Sequence, residues 1–141
     1  MANLPTTSSC PVLRVDFSND ALWVQLEEEI TSPTDEGFLA DVEFVEDRAL
    51  AGLDESAIVD ALPRSFPDDY DHPVIFVADQ VTMTAPDHPL LVVDLDETGA
   101  AVPFRSTPRQ VQAIENNLTI ANLDYADFAN SLDDDGIFRG F

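Results

Sequence analysis

The chain has 141 residues, 45% of them hydrophobic and nine of them Phe, enough for one packed domain that buries well over half of its unfolded surface. Asp and Glu number 28 against six basic residues, all Arg, for a formal net charge of −22. This balance excludes a phosphate-binding surface of clustered Lys and Arg, so neither nucleic acid nor an anionic membrane is an expected partner. It fits either a solvated acidic exterior that keeps the protein soluble, as in a high-salt cytosol, or an acidic face turned toward a basic protein partner.

Residues 1–10 form a polar segment with Pro and Ser, read as a flexible arm ahead of a single globular domain spanning 11–141. The arm has neither the basic start nor the apolar centre of a signal peptide, and no apolar run approaches a membrane span, so a cytoplasmic protein is expected. The Asn-Leu-Thr sequon at Asn117 then has no glycosylation context. Cys10, the only cysteine, excludes an internal disulfide and a cysteine zinc site.

Val12–Asp16 (VLRVD) reads as a first strand. Ser18 is a suitable helix N-cap, and Leu22, Trp23, Leu26 and Ile30 then recur at helical spacing over residues 19–31, with Glu27, Glu28 and Glu29 outward. Those acids oppose the helix dipole, so the last turn is expected to fray. After a loop (SPTDEG, 32–37), Asp41–Val45 reads as a strand parallel to the first across a right-handed crossover. Leu53 and Ile58 staple an N-cap at Asp54, starting a short helix, Glu55–Leu62, that Pro63 ends.

Val74–Ala78 and Leu90–Leu95 are continuous apolar runs, each led in by Asp-His-Pro (71–73 and 87–89). Short runs of this kind fit strands buried on both faces, so these two are expected at the centre of a sheet. A turn at Glu97–Ala100 and a strand at Val102–Arg105 then make a hairpin, and Pro103 suggests an edge position for the last strand. Thr107-Pro108-Arg109-Gln110 combines a capping box with Pro at the first helical position, ahead of Val111, Ile114, Leu118 and Ala121. Asp124 starts a second helix with Tyr125, Phe128, Ala129 and Leu132 on its apolar face. Gly136 terminates it, leaving Phe138 and Phe141 free to fold back on the body.

The resulting order, β-α-β-α-β-β-β-α-α, predicts an α/β (or α+β) fold: one compact domain with a central mixed sheet of about five strands covered by helices. Thioredoxin-like topology follows a similar order, but its redox Cys pair is missing.

Several stretches imitate chemical motifs. If the two central strands ran parallel, Asp71, His72, Asp87 and His88 would gather at one end of the sheet as an N/O ligand set for a metal. Neither site has the helical spacing of a specific metal motif, so a polar turn before each strand is the plainer reading. Asp94-Leu95-Asp96-Glu97-Thr98, at the end of an apolar strand, resembles the first motif of haloacid-dehalogenase-type phosphatases, in which the first Asp attacks phosphorus and both Asp help hold Mg²⁺. Only 47 residues (141 − 94) follow it, the chain has no Lys to neutralise phosphate, and Gly99 replaces an apolar residue.

Ser131, Asp133, Asp135 and Gly136 imitate the start of a calcium loop, but the bidentate acid at its twelfth position would be residue 142. No GxSxG occurs, and no cofactor fingerprint is present, so no cofactor is expected. Asp16, Asp79 and Asp94 fall at strand ends, where α/β folds place ligands. Asn116, Asn117 and Asn122 interrupt the apolar pattern and are either binding candidates or caps between two helices.

The segments RVDFSNDALW, DVEFVED, HPLLVVDL, IENNLTIANLDYADFA and DGIFRGF resemble a group of uncharacterised actinobacterial proteins classed as a domain of unknown function. The resemblance runs from Val12 to Phe141 and implies a self-contained bacterial domain, with no activity, cofactor or catalytic residue to carry over. Functionally, the sequence points to a small non-enzymatic binding or inhibitor module, immunity-like, that recognises a basic protein partner. The alternative is a metal-dependent hydrolase using Asp71, His72, Asp87, His88, Asp94 or Asp96.

Overall fold

A computed structural model of the chain describes residues 9–61, 72–94 and 103–141. Their core is a six-stranded mixed sheet in the order β2-β1-β3-β4-β5-β6. The strands are β1 (Cys10–Arg14), β2 (Val42–Val45), β3 (Val74–Ala78), β4 (Leu90–Asp94), β5 (Phe104–Ser106) and β6 (Ile137–Phe138). The helices are α1 (Asp20–Thr31), α2 (Glu55–Asp60), α3 (Gln80–Thr84), α4 (Val111–Thr119) and α5 (Tyr125–Ala129). The two apolar runs sit at the centre of the sheet, as expected, and Val74 through Ala78 are all buried.

Alternation along the strands divides the core into two layers. Val12, Val74, Phe76, Ala78, Leu90, Val92, Phe104 and Phe138 face Leu22, Trp23, Leu26 and Ile30 of α1, Val111 and Ile114 of α4, and Phe128 of α5. Leu13, Val15, Val45, Ile75, Val77 and Val93 face Leu50 and Ile58 on the opposite side. Each β3 residue therefore serves one layer or the other, which explains its unbroken apolar run.

The predicted face of α1 is the observed one, but its N-cap is Asn19, whose side chain accepts from the Leu22 N–H. The Ser18 hydroxyl instead donates to Asp16. Thr31 and Ser32 hydroxyls donate to the Glu27 and Glu28 carbonyls, supplying partners to the last turn where the acids oppose the dipole. β1 and β2 pair in parallel, and β4 and β5 form the predicted antiparallel hairpin. The hairpin turn at 97–100, Leu95, Val102 and the Pro63 helix end lie outside the described residues.

Three further expectations are corrected. Cys10 is not in a loose arm: it opens β1, buried, its thiol donating to the Val74 carbonyl at 3.1 Å. β5 is not an edge strand, because β6 pairs with it in parallel; Pro103 precedes β5, where its missing N–H leaves no ladder bond unmade. Pro108 opens a 3-10 turn (Pro108–Gln110) that leads into α4, and Thr107 makes no side-chain cap there. Between the central strands, residues 79–89 include a helix, α3, capped by Asp79 in a reciprocal capping box with Thr82.

Candidate functional site

The direction of β4 decides what the twin Asp-His-Pro tripeptides can do together. β3 and β4 are antiparallel, with Val74 opposite Asp94 and Val77 opposite Leu91. His72 therefore enters the sheet at the end where Asp94 leaves it, whereas Asp87 and His88 lie at the other end. The parallel alignment that would unite the four side chains does not occur.

Asp87 forms an ion pair with Arg139 at 2.7 Å, and His88, at φ 48°, places Nδ1 3.0 Å from the Thr82 carbonyl oxygen. Asp94 is buried at the end of β4; Asp71 and Asp96 lie outside the described residues. Among the described residues, no three His, Cys, Asp or Glu side chains converge as a ligand set. Asp133 and Asp135 of the calcium-loop look-alike close on the Arg139 guanidinium at 2.8 and 2.7 Å. That contact holds the Asp135 carboxyl below the usual carboxylate range.

The strand-end acids serve the fold. Asp79 receives both guanidinium nitrogens of Arg105, at 2.9 and 2.8 Å, while its Oδ1 caps α3. Burial alone would raise its pKa, but the hydrogen bonds from Arg105 and Thr82 outweigh it and leave the carboxyl more acidic than usual. Asp16 accepts from the Ser18 N–H, closing the turn into α1.

Arg14 was missed from sequence. It lies in β1, 1% exposed, its guanidinium 2.6 Å from both Asp20 and Glu46, donating to the Asp16 carbonyl and lying 4.6 Å from the Phe17 ring centre. A lone Arg between Leu13 and Val15 in an apolar strand was the available signal. The described arginines are thus already engaged: Arg48 lies over Phe17, and Arg109 is 3.9 Å from Asp35.

Glu115 is the second omission. It occupies a stripe position of α4 with Val111, Ile114 and Leu118, and is only 5% exposed. Burial, reinforced by the negative charge of Asp41, pushes its pKa up to about 7, and a hydrogen bond from the Asp41 main chain opposes the rise. The same carboxyl adds to the burial that raises the Cys10 thiol above its ordinary range. Ser9 donates to Asp41 at 2.8 Å, so the entry to β1, the entry to β2 and α4 meet around one acid.

The asparagines hold the α4–α5 break. Asn122 donates to the Asn117 side chain at 2.9 Å, and its N–H and that of Leu123 both donate to the Asn117 carbonyl. Asn117 Nδ2 is itself bonded to the Ala113 carbonyl. Asn116 contributes its carbonyl to the Ile120 N–H, and Ala121 beside it adopts φ 56°.

The described surface carries its apolar exposure in a few places. Phe38 and Leu39, adjacent in the loop before β2, are 59% and 62% exposed. Asp35, Glu36, Asp41, Glu43, Glu46 and Asp47 surround them in sequence. Among the described residues no helix is long and apolar enough to cross a membrane. No curated protein matches the chain. Residues 9–141, from just ahead of β1 through the end of the sheet, match the model of a domain of unknown function, DUF6924, and the chain belongs to that family.

Proposed function

We propose that this protein is a non-enzymatic binding module, of inhibitor or immunity type, whose acidic exterior recognises a basic protein partner in a bacterial cytoplasm. The observation that carries this reading is the net charge of −22 on a domain whose described arginines are engaged within the fold. Carboxylates such as those of Glu36, Glu43 and Asp47 are exposed and make a field that steers cations inward. An actinobacterial source belongs to the same reading, since Arg used without Lys suits a GC-rich genome. The antiparallel run of β3 and β4 favours this reading over a metal-dependent hydrolase, because it sets His72 at the opposite end of the sheet from Asp87 and His88.

Affinity capture on the immobilised chain, at about 0.05 and 0.5 M NaCl with captured proteins identified by mass spectrometry, tests the proposal. The expected result is a dominant cationic protein retained at low salt and shed at high salt. Capture of neutral or acidic proteins only, or retention indifferent to salt, would contradict electrostatic recognition.

A further inference from the structure

Residues 32–41, between α1 and β2, cross the body as a strap without helix or strand. The strap closes a turn on itself: the Thr34 N–H donates to the Phe38 carbonyl, and the Gly37 N–H donates to the Thr34 carbonyl, both at 2.8 Å. Gly37, at φ 87°, supplies the positive backbone angle of that turn. Carboxyl contacts join the strap to the segment that carries α4. Near its start, Asp35 is 3.9 Å from Arg109, a pair of exposed side chains that contributes little in water. At its end, the Asp41 N–H donates to the Glu115 carboxyl. Between these contacts lies a cleft of about 300 Å³, with Thr34, Asp35 and Glu36 on one wall and Arg109, Gln110 and Ala113 on the other.

Glu115 is the contact that a proton can switch. It is buried, and facing it are the Asp41 carboxylate, from the entry to β2, and the Cys10 thiol, from β1. No described Arg pairs with it. A protonated carboxyl is neutral beside Asp41 and stays buried at little cost, whereas its anion has lost water and meets a like charge. The Asp41 N–H offsets only part of that penalty, so the pKa stands at about 7 against an ordinary 4.5. A value raised on closing gives a contribution that is complete below about pH 4.5 and lost as pH rises to about 7. Swinging the strap away admits water to the carboxyl and separates it from Asp41, so the anion favours the open form.

We propose that Glu115 is a proton-operated latch on the strap: protonated, it holds Asp41 and the strap against α4, and ionised, it lets the strap lift and widen the cleft beneath. Ala40, packed against the core, keeps the opening rare in either state.

Hydrogen exchange of the whole chain, read residue by residue and corrected for the intrinsic pH dependence of exchange, tests the latch. Protection of the Asp41 amide is expected to fall about 50- to 100-fold between about pH 5 and 8, and to stay level in Glu115→Gln. At each pH it should be lower than that of Phe76 and Val77 in β3, and insensitive to dilute urea, as local opening requires. Asp41→Asn, which removes the facing charge and keeps an acceptor for Ser9, should end the fall at a lower pH.

An equal fall in the wild type and Glu115→Gln would overturn the latch. So would an Asp41 amide that matches Phe76 and Val77 in protection and urea response, because the opening would then be that of the whole fold. An Asp41→Asn profile superimposed on the wild type would overturn it as well, since the facing charge would then have no part in the switch.

Discussion

A carboxylic acid on the buried face of a helix loses the water that would stabilise its anion, and Glu115 adds to that loss the nearby charge of Asp41. Its pKa therefore rises from 4.5 to about 7 on folding. The folded state holds the proton more tightly than the unfolded chain, so the favourable contribution is complete below about pH 4.5 and is lost as pH rises to about 7. Glu115→Gln keeps an acceptor for the Asp41 main chain and removes the titration. Urea melts of both proteins should show the wild type losing about 2 to 3 kcal/mol relative to Glu115→Gln across that window. A constant difference would place the carboxyl in contact with water.

Cys10 behaves in the same way toward thiol reagents: with its sulfur buried and its thiolate disfavoured, it should react only as fast as the chain unfolds. Labelling with a chromogenic disulfide, native and in denaturant, measures this. Neither residue was recognised from sequence. Glu115 stood on the apolar stripe between Ile114 and Leu118, and that position was the signal. Cys10 had only polar neighbours on one side and Pro11 on the other; its burial comes from pairing with β2 and β3, which local pattern does not carry.

At the scale of elements, the junction of β3, α3 and β5 rests on Asp79. Asp79→Asn retains an oxygen to cap α3 but gives up the charge-assisted pair with Arg105, and Asp79→Ala gives up both. Expected losses are about 1 to 2 kcal/mol for Asn and about 1 kcal/mol more for Ala, read from denaturant midpoints. Because the folded carboxyl is more acidic than usual, its contribution is present above the ordinary Asp value of 3.8 and is lost as pH falls through the lower folded pKa. Equal stability of the Asn variant and the wild type at neutral pH would assign the pair no net worth.

Much at this scale was legible in the sequence. The four buried positions of α1, the central place of β3 and β4, and the β4–β5 hairpin follow from apolar period and turn residues. Strand direction did not follow, because a run buried on both faces looks the same read either way. The gathering of His72 with Asp87 and His88 turned on that ambiguity, since it required parallel strands. Pro103 misled for a related reason: a two-residue strand after Gly136, too short to carry a pattern, pairs with β5 and takes the edge.

On the scale of the whole molecule, the charge of −22 strains the fold through self-repulsion, apart from the recognition proposed for it. Added KCl should raise the melting temperature by screening and then level off by about 0.5 M, where the Debye length falls below the spacing of surface charges. A rise that continues into several molar would instead mark the acids as adaptation to a saline interior, and would remove the observation on which partner recognition is proposed. The direct measurement is calorimetric titration of the chain with the cationic protein recovered by capture, repeated from about 0.05 to 0.5 M NaCl. The predicted result is an affinity that falls at least about 10-fold over that range. An affinity that holds constant across the series would contradict acidic recognition.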